Sequence, residues 1–415
     1  MSRTPASPAV VVLVHDGFYG CGTGAGASNH AFLQILAALI APHVHLAVLP
    51  VRIAPASTEY DPDWHQKTLS LLTGPDRTIM PLDNGTHGVT RFGGLASFRA
   101  ACHSAAVAIS RLSLGGDCLI IASDVPFFGL SELLPSALQR SLINVARSTA
   151  ALHAPGETDR IAWERHGLLA AARAGGRIAA ISQHMHNHLT ATYQIPDASV
   201  VHLTNGLTRS EQQPPRPASG VLPPGAARGF LFALGRAEPY KGFTDLLDAL
   251  VLLREEQQPV PHTVLAAVTD GQPTNPYQQH LAQRIQAAKL DVTLLTRFSS
   301  TIRTLLAHPA LAAVIVPSRA EPFGRVPLDT WAAGVAPVVA TTAGGLAEQV
   351  ADAETGFTAA PHDPRSLACA IRRALVAAPG QRSAMITAGR RALASRYDYE
   401  TNIRQFIDTV APWAL

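Results

Sequence analysis

Two cations and two carboxylates at short, fixed spacings mark the second half of this 415-residue chain. In FALGRAEPYKG (Phe232–Gly242) an apolar run ends at Gly235, Arg236 follows at once, and Lys241 comes five residues later. Two positive side chains at a strand's carboxyl end, beside a helix start, are suited to neutralising a diphosphate. Cations at a helix start oppose the macrodipole, and that misfit favours an anionic ligand over a purely structural role. In VPSRAEPFGRVPLDTWAAG (Val316–Gly334) Glu321 precedes Pro322, which biases it away from helical backbone and ends the strand. Phe323, Gly324, Arg325 and Val326 can then present backbone N–H groups where the next helix opens. Asp329 stands eight residues after Glu321, one or two turns into that helix, so both carboxylates can face one pocket. Paired carboxylates suit vicinal hydroxyls, such as those of a sugar or a ribose. Gly344 and Gly345 allow another close backbone approach before Glu348.

The first half offers weaker signals. HDGFYGCGTGAGASNH (His15–His30) follows the first apolar run and precedes a helical one, Ala31–Ile40. Its glycines let backbone approach a ligand, and a helix start offers N–H groups to an anion. However, Gly22, Gly24 and Gly26 are spaced by two, and no acidic residue closes a second strand about 20 residues on, as a dinucleotide site requires. The loop reads equally as a phosphate or sugar site and as a tight strand–helix turn. Asp61 and Asp63 have the D-x-D spacing of a metal-held diphosphate site, but they lie in an irregular polar stretch rather than after a strand. His184 and His188, with His186 between them, have zinc-ligand spacing on a helix after Ser182. No third ligand is evident, and a solvated helix face is the simpler reading.

The elements that must position these residues are legible as short apolar runs, each followed by a helical segment. In the first half they are Ala9–His15, His45–Val51, Cys118–Ser123, Arg177–Ser182 and Ser199–Asn205. After QQPPRPASGVLPPGAAR (Gln212–Arg228) they resume at Gly229–Gly235, His262–Val268, Val292–Phe298, Ala312–Ser318 and Ala336–Thr342. Strand–helix alternation with near-continuous apolar strands predicts parallel sheets covered on both faces. The expected class is α/β, with two doubly wound domains over 1–208 and 229–396 and a Pro-rich linker over 209–228. A C-terminal helix over about 397–415 is expected to pack back on the first domain. Segment 52–95 is the least regular and is expected to be loop-rich.

Composition narrows the function classes. Hydrophobic residues make up 47% and charged ones 15%, so the chain is a folded globular protein rather than a disordered one. A net charge of +3 with no strongly basic half argues against nucleic acid as a partner. Four scattered cysteines without a CxxC pair fit a reducing cytoplasm, and no apolar run is long enough to span a bilayer. The expected state is a soluble cytoplasmic monomer or homodimer.

Taken together and in their order along the chain, the first-loop, GR…KG and EPFG motifs resemble those of the retaining GT-B glycosyltransferases, specifically glycosyltransferase family 4. NG at Asn205–Gly206 also resembles the family's turn before its linker. The resemblance implies two Rossmann-like domains facing one cleft. It implies that Arg236 and Lys241 grip a donor diphosphate, that Glu321 holds sugar hydroxyls, and that Asp329 holds the ribose diol. Asp329 departs from the family's usual Glu and is one methylene shorter. Backbone amides of Phe323, Gly324, Arg325 and Val326 would contact the sugar or phosphate, with Gly22, Gly24 and Gly26 near the diphosphate. The family also uses a His at the end of an N-domain strand. His153 in ALHAPGE is the candidate here, completing a catalytic set with Arg236, Lys241 and Glu321. Asp124 in ASDVPFFG is a candidate acceptor contact. The implied partners are a nucleoside diphosphate sugar (UDP foremost, GDP next) and a small soluble acceptor, as in the tailoring of a natural product such as an antibiotic. No cofactor and no metal are expected. A sugar-nucleotide 2-epimerase and a non-catalytic sugar-binding subunit share this fold and stay open as alternatives. A nicotinamide oxidoreductase is undermined by the glycine spacing.

Overall fold

The computed structural model describes residues 7–21, 23–86, 94–112, 114, 116–215, 222–269, 274–297 and 299–415. Gly22, residues 87–93 of the irregular segment, 216–221 of the Pro-rich stretch, and Phe298 lie outside the described residues.

Apolar runs without polar alternation need cover on both faces, and the first sheet shows why they cohere. Its strands are β1 (Ala9–Val14), β2 (His45–Pro50), β3 (Arg77–Ile79), β4 (Cys118–Ser123), β5 (Leu142–Ala146), β6 (Arg177–Ala180) and β7 (Val200–His202). All six residues of β1 are buried. Each fully buried valine or leucine contributes about 1.5–3 kcal/mol relative to exposure. The strands are parallel in the order β3-β2-β1-β4-β5-β6-β7, with Val14 level with both Pro50 and Ser123. Such a register pins the carboxyl ends of β1, β2 and β4 at one height.

The second sheet comprises β8 (Phe230–Arg236), β9 (His262–Thr269), β10 (Val292–Arg297), β11 (Leu311–Val316), β12 (Val338–Thr341) and β13 (Phe357–Ala359), parallel in the order β10-β9-β8-β11-β12-β13. Helix Pro364–Val376 buries Leu367, Ala368, Ala370, Ile371 and Ala374, a stripe at helical spacing that covers one face of this sheet. Both sheets are doubly wound and Rossmann-like, the expected α/β architecture.

The chain divides into two compact units, one running to Asn205 and resuming over Tyr399–Leu415, the other Gly206–Asp398. In the first, helix Tyr399–Val410 buries Ile403, Phe406 and Ile407, and the Ala41 amide donates to the Ala414 carbonyl at 3.0 Å. Segment 52–95 is more regular than expected: it holds helix Pro62–Ser70 and strand β3. Asp61 caps that helix by accepting from the Trp64 amide at 2.9 Å, so the D-x-D pair serves a helix start.

In each sheet the strand order reverses once, between β1 and β4 and between β8 and β11. Open parallel sheets bind ligands beyond the carboxyl ends of the strands at that reversal.

Candidate functional site

In the second unit the reversal is flanked by the end of β8 and the loop after β11. Arg236 closes β8, and Lys241 ends a single 3₁₀ turn, Pro239–Lys241. Lys241 therefore does not open the helix, which begins at Phe243. Between them Gly242 has φ +67°, and a Cβ there would overlap the Pro317 carbonyl, so only glycine lets the two loops close together. Arg319 locks the same junction. Its amide donates to the Tyr240 carbonyl at 2.7 Å, and its guanidinium binds Asp245 with both arms, Nε at 2.8 Å and Nη2 at 2.5 Å.

That junction brings residues 80 apart into contact. Lys241 Nζ lies 2.5 Å from Glu321 Oε2, and the Ser318 hydroxyl donates to the same oxygen at 3.2 Å. Arg236 donates to the Tyr240 hydroxyl and lies with Lys241 near its ring, 5.8 and 5.5 Å from the centroid. Burial raises the Tyr240 phenol above its ordinary pKa, against the opposing pull of Lys241 and Arg236. Two cations, one carboxylate and a neutral phenol are thus collected at the place where an anion would bind.

The EPFG loop is fixed by its carbonyls. Gly345 donates its amide to the Glu321 carbonyl at 2.8 Å, and Gln349 Nε2 donates to the Phe323 carbonyl at 2.7 Å. Helix Val326–Ala333 follows directly, and amides in a helix's first turn have no acceptor within the helix. Phe323, Gly324, Arg325 and Val326 stand at this entrance. Asp329 is in the helix's first turn, but its carboxylate pairs with Arg303, not with Lys241. The two carboxylates of the motif thus answer to different cations. The Arg325 side chain pairs with Glu211 at 2.5 Å.

In the first unit the reversal is flanked by His15 and Asp16 after β1 and by Asp124 after β4, with Arg147 after β5. Thr23 caps helix Gly24–Leu39, accepting from the Gly26 amide at 2.9 Å and donating to Asp16 Oδ2 at 2.5 Å. Gly24 and Gly26 are therefore in the helix's first turn rather than in a loop. A Cβ on Gly26 would collide with the Asp16 carboxylate, whereas Gly24 has open space around it. Asp124 holds φ 78°, ψ 174°, a backbone region nearly reserved for glycine, and accepts from the Val125 amide at 2.9 Å.

His153 does not stand at a strand end. Strand β5 stops at Ala146, and the Glu164 carboxylate then accepts the Ala150 amide at 2.9 Å, turning the chain into helix Ala150–His153, of which His153 is the last residue. The strand-end position belongs to Arg147, 3% exposed, which donates to Asn29 Oδ1 at 2.5 Å and to Asn205 Oδ1 and the Tyr399 hydroxyl at 3.3 Å each. On helix Gln183–Ala191, His188 meets the Thr149 hydroxyl at 2.8 Å and His186 meets Asp197 at 2.7 Å. Among the described residues no group of three or more His, Cys, Asp or Glu is placed to hold a metal ion. Nor is any helix among them long and apolar enough to cross a membrane.

Sequence reasoning missed Tyr240, Ser318 and Arg319 although they sit inside the two motifs. The links from Arg303 to Asp329 and from Glu211 to Arg325 carry no local signal, because these partners lie 26 and 114 residues apart.

Residues 223–392 match the family of glycosyl transferases group 1. Over 176 residues the chain is 39% identical to the glycogen synthase of Mycobacterium tuberculosis, covering 41% of this chain and 39% of that protein. Over 247 residues it is 29% identical to the D-inositol 3-phosphate glycosyltransferase of Streptomyces avermitilis, covering 57% of this chain and 52% of that one. The chain thus spans less than two thirds of either relative's length. The crystal structure of Anabaena HepE in complex with UDP and glucose has the same fold, with a TM-score of 0.71 at 20% identity over 98% of this chain and all of that one. Residues 223–392 of the second unit thus match the glycosyl transferases group 1 family, in a chain with the GT-B fold.

Proposed function

We propose that the chain is a retaining glycosyltransferase of family 4. In this reading it moves a hexose from a nucleoside diphosphate sugar, with uridine as the nucleoside, to a hydroxyl of a small acceptor. The observation that carries the reading is the Lys241–Glu321 pair at the reversal of the second sheet, with Arg236 on its β8 flank. The UDP and glucose bound by HepE, which shares the fold, support the choice of donor.

On this reading the diphosphate draws Lys241 and Arg236, and the Glu321 carboxylate accepts hydroxyls of the sugar. The acceptor oxygen attacks the anomeric carbon on the face the phosphate leaves. As the carbon–phosphate oxygen bond breaks, the departing phosphate oxygen takes the acceptor's proton. The protein's task is to stabilise the negative charge that develops on the diphosphate, through the two cations and the amides at the entrance of helix Val326–Ala333. We assign acceptor binding to the first unit, with Asp124 as its candidate and His153 as the candidate catalytic group beside the transferred sugar, and we expect the reaction to need no metal.

Calorimetric titration with UDP, GDP, ADP and TDP, with and without magnesium, tests this. Micromolar, magnesium-independent binding of UDP is the expected result. Binding to none would favour a subunit without chemistry. Conversion of a sugar nucleotide incubated alone would favour a 2-epimerase on the same fold.

A further inference from the structure

The Pro-rich stretch between the sheets is not only a spacer. Its first residues fold into a tight unit in which the Glu211 amide donates to the Thr208 hydroxyl at 3.2 Å and Glu211 Oε2 accepts the Thr208 amide at 2.9 Å. The unit is seated at both ends. The Leu207 amide donates to the Tyr397 carbonyl at 3.0 Å, and Gln212 Nε2 donates to Asp398 at 3.2 Å. From this seat Glu211 Oε1 reaches Arg325 of the EPFG loop at 2.5 Å.

The pair differs from an ordinary surface contact. The side chains of Arg325 and Glu211 are 11% and 24% exposed, against 39% and 44% for the surface pair Arg373–Asp352. Exposed pairs hold little in place, whereas a pair withdrawn from water fixes the geometry of both partners. Burial alone would raise the Glu211 carboxyl, yet Arg325, with Arg303 beyond it, keeps it below its ordinary pKa. Arg303 in turn holds Asp329. Two ion pairs, Glu211–Arg325 and Asp329–Arg303, thus lie together at the first turn of helix Val326–Ala333, with Arg303 also acting on Glu211. Arg325 lies between Gly324, whose φ of +89° gives the backbone latitude, and Val326, where the helix starts.

The geometry points to Glu211 as a positioning residue for the donor loop: by holding the Arg325 guanidinium, it fixes the backbone of 323–326 so that its amides stay aimed at a bound diphosphate. The inference rests on the donor-site reading above for what the loop binds, but not for what holds the loop. Glu211 touches no reacting atom and acts through Arg325. Its neutral isostere should loosen the loop and weaken diphosphate binding while the rest of the unit stays as it is.

The test combines amide hydrogen exchange with calorimetry, using UDP as the probe. Glu211→Gln should speed exchange of amides 323–326 and 328 by about tenfold and weaken UDP by about tenfold, with helix Phe243–Glu255 exchanging as in the parent. The charge-reversed double variant E211R/R325E should recover both quantities. Unchanged loop exchange in Glu211→Gln overturns the inference. So does a general rise that includes helix Phe243–Glu255, or a loosened loop with parental UDP affinity. If the parent binds no nucleotide, the donor-site reading fails instead, and the loop's exchange alone then decides the role of Glu211.

Discussion

Lys241 Nζ and Glu321 Oε2 stand 2.5 Å apart, with side chains 18% and 12% exposed. A diphosphate and the carboxylate therefore compete for one ammonium. Donor binding on this reading is an exchange of partners, in which Lys241 turns to phosphate and Glu321 is released to accept hydroxyls. Arg319 and Gly242 hold the two loops that allow it.

Opposite effects on diphosphate affinity follow. Lys241→Ala should abolish most UDP binding, whereas Glu321→Gln, which frees the ammonium, should tighten UDP while lowering sugar transfer by about 100-fold or more. Lys241→Ala also removes the cation beside a largely buried carboxylate, so its stability should fall by about 1–3 kcal/mol. Calorimetry and thermal melts of the two variants decide it. Equal weakening of UDP in both would mean that the pair acts as one structural unit.

Asp329 is a second case of a carboxylate already engaged, here by Arg303. If it holds the ribose diol, the parent should bind UDP more tightly than 2′-deoxy-UDP by about tenfold, the effect of one hydrogen bond to a charged group. Asp329→Ala should erase that preference, and Asp329→Glu should keep it. Titration of both nucleotides against the three proteins gives the answer; a preference that survives in Asp329→Ala places the ribose elsewhere.

Gly242→Ala tests the junction itself. With φ +67° and the Pro317 carbonyl where a Cβ would go, the variant should lose at least about 1–3 kcal/mol and melt well below the parent. Gly380→Ala is the control. It lies in helix Pro379–Arg396 with no atom near its Cβ position, and should gain about 0.5–1 kcal/mol.

Much of this arrangement was legible in the sequence, for identifiable reasons. Strands such as β1 and β4 are buried on both faces, so their apolar runs stand out, and Arg236, Lys241 and Glu321 follow such runs directly. Strands β3 and β13 have three residues each, too few to show a period. The start of helix Gly24–Leu39 was hidden by its glycines, because propensity opposes a helix that Thr23 and close packing on Asp16 allow. The turn that carries His153 away from a strand end has no local signal, because it depends on Glu164, a partner 14 residues from Ala150. Arg303 and Glu211 could not be found for the same reason, since only the fold brings their partners within reach.

The acid side of the stability curve should carry the mark of one histidine. Burial, with His184 acting in the same direction, lowers His188 from its ordinary 6.5 to about 4. Between those values the unfolded chain binds a proton that the fold refuses. Stability from this site is thus complete above pH 6.5 and is lost as the pH falls towards 4. Glu164, raised by burial, works in the opposite sense, so the parent alone does not isolate His188. The difference in melting temperature between parent and His188→Gln should be largest near pH 7 and shrink towards pH 4. A difference independent of pH would mean that His188 acts only through its contact with Thr149.

Asp124 offers the sharpest separation of stability from function. Its backbone, at φ 78° and ψ 174°, costs an L-residue about 1–3 kcal/mol relative to glycine. Its carboxylate accepts from the Val125 amide at 2.9 Å, and its own amide donates to the Val145 carbonyl at 3.0 Å. A non-glycine residue held in that region, at the carboxyl end of β4 where the strand order reverses, is strain retained at the place a ligand would bind. Asp124→Gly should therefore raise the melting temperature while lowering turnover, with UDP affinity unchanged because the donor is assigned to the other unit. Asp124→Asn keeps the backbone and the capping oxygen and should lose turnover without gaining stability. Melting curves, UDP titration and transfer assays on both variants test this together. If Asp124→Gly gains stability at full activity, the carboxylate is a turn residue and the acceptor is held by other groups.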